Sequence, residues 1–386
     1  MAKSPTAALK FVVLLGFVSL CADATYEGAR SLTGAYLGVL GASGTTVGWV
    51  AGLGELVSYG LRLFIGFLSD STRRYWGIAT LGYVLNTVVV PLMAFAGRWE
   101  VLAGLMIAER TGKAIRTPPR DVLLSHAAMR VGKGLGFGVH EAMDQIGAVA
   151  GPLLVTAVLA TWGSYPGGFA ILAIPAVLGL VVLVIGQRLY PNPREFEPVL
   201  RDWQGQALPV RFWVYLGAVM LIAAGFVDFP LIAFHWQHTG VVQPTHIPLL
   251  YALAMGVDAI AALLLGYGFD RLGLPMLMLA LLLAVGFVPL VFWGGGPWVI
   301  WGMVLWGIGM GAQESLWKAV VAGLVPPDRR GSAYGMFNTG YGLAWFGGSA
   351  VMGMLYDRSL GGLILFSLLA QGMAMPLFLW LNRQTR

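Results

Sequence analysis

Charge is the scarcest commodity in this sequence. Only 11% of its 386 residues are Asp, Glu, Lys or Arg, against 58% hydrophobic, whereas a soluble globular chain carries about 25% charged residues. A water-soluble fold of this composition has no polar surface to cover its core, so lipid must serve as the solvent. Cysteine is nearly missing too. The single Cys21 excludes an internal disulfide and leaves the redox compartment open. No GxxxxGK[ST] loop occurs, so ATP does not drive work in this chain, and no cofactor is expected. Neither HExxH, CxxC nor a nucleophile with a base at motif spacing is found, which argues against an enzyme. A soluble output domain is not expected beside the apolar runs, which argues against a sensor.

Short-range alternation is lacking as well. A transmembrane barrel needs short segments that alternate apolar and polar residues. Here Ala170–Gly186 and Leu272–Trp293 are continuous apolar runs, so helices, which satisfy their own backbone, are the structure that fits. At about 20 residues per span, the chain has room for roughly twelve. Hydropathy places them at 10–37, 45–68, 74–96, 99–125, 133–161 and 168–188, then at 211–236, 247–268, 273–293, 298–324, 331–356 and 360–381. The longest polar stretch, Arg188–Pro209, holds Pro191, Pro193 and mixed charges, and reads as an amphipathic cytoplasmic linker. The expected organisation is all-α: a six-helix bundle over 1–188, a linker at 189–210 and a second six-helix bundle over 211–386, expected as a monomer.

Glycine is what the chain has in excess. Its 54 glycines are about twice the usual share, and small residues let membrane helices approach. At the amino end, Lys10, the run Phe11–Leu20 and Ala22-Asp23-Ala24 have the outline of a signal peptide with its cleavage site. We read them as the first span, and Leu20 before Cys21 is not the small residue that lipid attachment wants.

The net charge of +6 does not form the basic face that nucleic acid requires. Lys3, Lys10, Arg73, Arg74, Arg130, Lys133, Arg188, Arg194, Arg201, Arg271, Arg329, Arg330, Arg383 and Arg386 fall on one side of the threading. The opposite loops hold only Arg98 and Arg358, each near an acid, Glu100 and Asp357. By the positive-inside rule both termini are cytoplasmic, in a multi-pass protein of a cell membrane.

The two halves echo each other. Gly66-Phe67-Leu68-Ser69-Asp70-Ser71-Thr72-Arg73-Arg74 closes span two, and Gly266-Tyr267-Gly268-Phe269-Asp270-Arg271-Leu272-Gly273 closes span eight. Lys133-Gly134-Leu135-Gly136-Phe137-Gly138 opens span five, and Arg330-Gly331-Ser332-Ala333-Tyr334-Gly335 opens span eleven. Duplicated halves of this kind are expected in transporters.

These residues resemble the major facilitator superfamily, whose loop between helices two and three carries Gly, three residues, Asp, then Arg or Lys. Gly66, Asp70, Arg73 and Arg74 match, without the family's usual glycine after the aspartate; Asp270 and Arg271 form the echo. The resemblance implies a latch that gates transport. Arg110-Thr111-Gly112 resembles the family's arginine-plus-glycine motif of helix four, which implies proton coupling. Gly147-Ala148-Val149-Ala150-Gly151-Pro152 is similar to the glycine-proline signature of its antiporters, usually exporters, although the later glycines of that pattern are absent.

Ionisable residues within spans cost at least ~2.5–3.5 kcal/mol each on insertion scales, so each is a functional candidate. In span one, Asp23, Glu27 and Arg30 share a face, and Asp23 lies about 20 Å along the helix from Lys10. The bland alternative is a structural Glu27–Arg30 pair. Span four carries Glu109, Arg110, Lys113, Arg116, Arg120 and Asp121. Arg110 and Lys113 fall near the middle and either neutralise the carboxylates of span one or bind an anion, while Arg116 and Arg120 are expected to snorkel toward the cytoplasm. Span five holds His140, Glu141, Asp144 and Gln145, which either shuttle protons or pair structurally. The second half offers Asp228, Asp258 and a Glu314–Lys318 pair, and Glu55 stands alone in span two. Trp306, Trp317, Phe337, Tyr341 and Trp345 are candidates for a cavity wall. His235, His238 and His246 are read as interfacial, with no metal site.

The expected function is secondary transport of a small organic solute by alternating access, coupled to protons and directed outward. Asp23, Glu27, Arg110, Glu141 and Asp144 are the proton-coupling candidates. Arg30, Lys113, His140, Asp258, Glu314, Tyr341 and Trp345 are the candidate substrate ligands. Gly66, Asp70, Arg73, Arg74, Gly147, Gly151, Pro152, Asp270 and Arg271 are expected to gate. The alternatives are a carrier of an anionic solute held by Arg110 and Lys113, and a divalent-metal exporter using Asp23, Glu27 and Asp144.

Overall fold

The computed structural model describes residues 5–191, 208–326 and 330–385, without the side chains at 5, 126, 129, 130, 133, 134, 318, 330–332 and 385. Most of the expected linker, the Lys318 partner of Glu314 and the opening residues of the span-five and span-eleven repeats lie outside the described residues. Among the described residues all regular structure is helical: α1 Pro5–Val39, α2 Gly44–Thr72, α3 Tyr75–Leu92 with a 3-10 turn at Met93–Phe95, α4 Trp99–Val131, α5 Lys133–Trp162, α6 Tyr165–Ile171, α7 Ala173–Leu189, α8 Val210–Gly225, α9 Phe229–Thr239, α10 His246–Leu272, α11 Leu274–Val285, α12 Phe287–Phe292, α13 Pro297–Leu324, α14 Arg330–Arg358 and α15 Leu360–Thr385. The twelve expected spans are all present, three of them in two pieces (α6 with α7, α8 with α9, α11 with α12). Among the described residues, nine helical stretches are long and apolar enough to cross a membrane. The heavily charged α4 is not one of them.

Helix ends follow the sequence locally. Ser164 accepts from the Gly167 amide at 3.2 Å, Ser43 from Thr46 at 3.1 Å and Ser359 from Gly362 at 3.1 Å, three hydroxyl caps on the orphan donors of α6, α2 and α15. Gly163 and Gly240 close α5 and α9 in the left-handed region, at φ 62 and 70. At the α2–α3 turn the left-handed residue is Arg73, at φ 55. An arginine thus adopts the backbone that glycine takes without strain.

The break in span seven is the most consequential departure from a plain span. Unwinding Phe226–Asp228 leaves carbonyls that lipid cannot solvate. Instead, Trp306 Nε1 donates to Val227 O at 3.0 Å, while Ser367 Oγ and Gln371 Nε2 donate to Gly225 O at 2.5 and 3.1 Å. Asp228, 2% exposed, restarts the helix as N-cap, accepting from the Phe229 amide at 2.9 Å, with Pro230 in the first turn. What the sequence shows as a charge inside a span is a cap at a built-in discontinuity.

The described residues group by contact into two units, one of Met1–Thr33 with Gly60–Leu200 and one of Gly34–Tyr59 with Arg201–Arg386. In the first, Gly147 and Gly151 lie so close to the backbone of α1 at Leu20 and Ala24 that any side chain there would collide with it. Gly82 and Gly112 do the same for α3 and α4, against Arg116 and Asn86. Small residues therefore set how near the charge-bearing helices lie. Gly66 is different: a side chain there meets only Pro118, at 3.9 Å, so the close approach expected at this position is absent.

Candidate functional site

In the first unit, three cations surround one ring. Tyr26 of α1 accepts from Arg30 Nη1 at 3.1 Å and from Arg110 Nη1 of α4. Lys113 Nζ stands 3.7 Å from the ring centroid and the Arg110 guanidinium carbon 4.7 Å from it. A phenol suits this place because it offers an oxygen acceptor at its tip and an electron-rich face to cations. The Arg30 geometry gives the Glu27–Arg30 reading a competitor, since Arg30 reaches Tyr26. Beside this cluster Glu109 accepts from Asn86 at 2.5 Å and lies 3.5 Å from Arg110 Nε. Lys113 sits in the field of the Glu27 and Asp23 carboxylates and of the Arg110 and Arg116 guanidiniums, yet it forms no ion pair among the described residues.

One turn further along α4, Arg116 pairs with Asp23 of α1 at 2.7 Å and stacks over Tyr83 of α3 at 4.9 Å. Its side chain is 1% exposed. The expectation that Arg116 snorkels is therefore wrong: its charge is held inside the unit by a carboxylate from another helix. Two of its donors, Nε and Nη1, have no acceptor among the described residues. Asp23 is correspondingly not the isolated carboxylate that its own helix suggests.

A third group completes the chain of charges. Arg120 bonds Asp121 at 2.8 Å, reaches Asp144 of α5 at 3.6 Å, and approaches Ser19 at 3.5 Å. His140 contacts the same Asp144 at 3.4 Å through Nδ1 and bonds Ser19 at 2.9 Å through Nε2. Ser19 in turn lies 3.4 Å from the Tyr83 hydroxyl. Arg120, like Arg116, is thus part of the interior rather than a cytoplasmic anchor. Glu141 is exposed and does not join this group.

Asp23, Arg30, Arg110, Lys113, His140 and Asp144 are thus brought into one connected region of α1, α4 and α5, with Glu27 buried at its edge. Tyr26, Tyr83, Ser19, Asn86, Glu109, Arg116 and Arg120 belong to it as well. The 109, 113, 116, 120 spacing, which repeats on one helical face, is the sequence signal that could have found Glu109, Arg116 and Arg120; the hydroxyls and Asn86 give none, being ordinary residues in apolar surroundings.

In the second unit, rings replace charges. Tyr341 packs on Trp317 at 4.8 Å, Trp345 at 5.3 Å and Tyr59 at 4.9 Å between centroids. Its hydroxyl donates to Gln313 Oε1 at 3.3 Å, and the carboxylates of Glu55, Glu314 and Asp228 act on it electrostatically. Glu314 itself is exposed. Asp258 is 1% exposed and packs where α10 crosses α13, with its carboxylate against Gly311. Of the candidate gating residues, Asp70 accepts from Tyr75 at 3.2 Å and Arg271 stacks on Tyr267 at 4.1 Å, contacts local to their own turns. His235 bonds the Tyr356 hydroxyl at 3.0 Å and His238 stacks on Phe234, while no group of three potential metal ligands converges among the described residues.

The family model of the Major Facilitator Superfamily matches residues 13–349. The uncharacterized protein Rv2265 of Mycobacterium tuberculosis is 43% identical over 95% of this chain and 92% of its own length. The uncharacterized MFS-type transporter MJ1317 of Methanocaldococcus jannaschii is 26% identical over 91% and 89%. The multidrug resistance protein MdtH of Photorhabdus laumondii is 26% identical over 82% and 79%. Among solved structures, the nucleoside transporter NupG superposes with a TM-score of 0.76 at 14% identity, covering 97% of this chain and 99% of its own. A bacterial homolog of the human lysosomal transporter Spinster superposes at 0.74 with 16% identity, covering 96% of each chain. With its helices, its repeat and its buried charges in view, this chain is a multi-pass membrane transporter and belongs to the major facilitator superfamily.

Proposed function

We propose that the chain is a monomeric, proton-coupled exporter of a small organic solute in the cell membrane, working by alternating access of its sequence halves 1–188 and 211–386. The observation that carries this reading is the Asp23–Arg116 pair. Arg116 is buried, and the 2.7 Å contact to Asp23 is its one ion pair among the described residues. A proton on Asp23 cancels the carboxylate that bonds this cation, and breaking a buried pair costs several kcal/mol, ~3–5. The conformation that offers Arg116 another acceptor then gains by that amount, which is what a coupling ion must achieve. Arg120, His140 and Asp144 extend the path toward the far end of α5, where proton exchange with water completes the cycle. Solute binding to the opposite state competes with the proton, which makes the exchange an antiport. Names such as multidrug resistance protein among the relatives support the outward direction.

The test is a compound library added to energised everted vesicles that contain the protein, with the pH gradient followed by a dye. A compound that dissipates the gradient only in vesicles carrying the protein supports antiport. Solute movement that persists unchanged after the gradient is collapsed refutes it. One observation favours a second reading, transport of an anion: Lys113 forms no ion pair among the described residues and is half-buried. On that reading Lys113→Gln abolishes anion transport, whereas under proton antiport it changes pH dependence and leaves transport in place.

A further inference from the structure

The second unit contains a set of buried hydrogen-bond donors that the protein does not use. Gln313 and Trp317 are one turn apart on α13, and Tyr341 and Trp345 one turn apart on α14. Their side chains are 4%, 3%, 4% and 2% exposed. The two pairs face each other: Tyr341 bonds Gln313 and packs on both indoles. Yet Gln313 Nε2, Trp317 Nε1 and Trp345 Nε1 have no acceptor among the described residues. Ser349, one further turn along α14, is buried with its hydroxyl unpartnered too.

Three such donors around one tyrosine are not the habit of this fold. The other large buried indoles of the same unit are satisfied, Trp236 by Val291 O at 3.0 Å and Trp306 by Val227 O at 3.0 Å. Buried indole N–H groups usually find a partner, and leaving one without is costly. A cost kept at three neighbouring positions is the mark of a site that is completed by something else. The surroundings say what that is. Unmet donors call for acceptors on the ligand. Three indole and phenol faces call for a flat ring. Glu55, Asp228 and Glu314 act on the same tyrosine, so an anion is repelled. Glu314, next to Gln313 in the chain, is exposed.

We propose that Gln313, Trp317, Tyr341 and Trp345 form a donor-lined aromatic box that binds a planar, uncharged or cationic heteroaromatic ring through its hydrogen-bond acceptors. This rests on the transporter reading above and names the class of solute that it carries.

The test uses the full-length protein in detergent and equilibrium dialysis. Two probes, caffeine and 1-methyl-2-quinolone, are flat, neutral and carry carbonyl acceptors without N–H or O–H donors; benzoate supplies a ring with negative charge. The box predicts saturable binding of a neutral probe and none of benzoate. Trp317→Phe and Trp345→Phe keep an aromatic ring but remove the N–H donor together with part of the indole, so each should weaken binding at least three- to tenfold, the loss of one hydrogen bond being about that much. Failure of both neutral probes to bind, binding of benzoate at equal strength, or wild-type binding in both Phe variants overturns the box. The vesicle assay is read separately. Gradient dissipation without probe binding removes the box and leaves antiport standing; probe binding without any gradient response does the reverse.

Discussion

In the unit built on Met1–Thr33 and Gly60–Leu200, Asp23, Arg116, Arg120, Asp144 and His140 answer one another across α1, α4 and α5. In the unit built on Gly34–Tyr59 and Arg201–Arg386, buried polarity is mostly neutral, set among rings, with the donors of Gln313, Trp317, Trp345 and Ser349 unanswered among the described residues. Both units use glycine in the same way, to bring helices into backbone contact, as Gly147 and Gly151 do on α1 and Gly307 and Gly311 do on α10. What differs is what the close-packed helices hold between them. A network of opposite charges responds to protons, whereas rings and neutral donors respond to the shape and acceptors of a solute. On the proposed function, coupling and recognition use different residues.

Breaking the charged side should have the largest effect. Arg116→Ala leaves the half-buried Asp23 without its paired guanidinium, in the remaining field of Lys113 and Arg120, and should lower stability by about 3 kcal/mol, read as a fall in melting temperature. Pairing Asp23→Asn with Arg116→Gln should recover much of that loss. Gly151→Val places a side chain against the α1 backbone at Ala24; overpacking of this kind costs about 1–3 kcal/mol, and a thermal melt will show whether the two helices can separate to take it.

How much of this could be read from residues alone differs between the same two regions. Twelve spans, the repeat and the charged face of α1 follow from hydropathy and spacing, because lipid makes every interruption visible. Arg116 was misplaced for a plain reason: counting along α4 gives depth, but its partner stands on another helix. The broken span at Phe226–Asp228 carried its own signal, an aspartate two residues before a proline, which is the pattern of an N-cap and first turn. The uninterrupted apolar composition on both sides concealed it. Gln313 was missed because a neutral amide inside a span has no charge to betray it, and only the tertiary arrangement shows its second donor unmet.

Smaller changes sharpen the contrast. Tyr26→Phe keeps the ring under Lys113 but removes the oxygen that Arg30 and Arg110 share, a loss of hydrogen bonds to charged groups of about 1–3 kcal/mol; chemical denaturation of the purified protein is the check. The smallest effect expected is a gain. Arg73→Gly relieves the left-handed backbone at φ 55, worth about 1 kcal/mol, and should raise the melting temperature slightly.

The central claim is that Asp23, through Arg116, ties proton movement to solute movement. The most direct measurement follows a compound found in the vesicle screen in Asp23→Asn proteoliposomes, recording solute exchange and proton flux together. The account predicts that solute-for-solute exchange survives while compound-evoked proton flux disappears. Proton flux at the wild-type level in Asp23→Asn would contradict it.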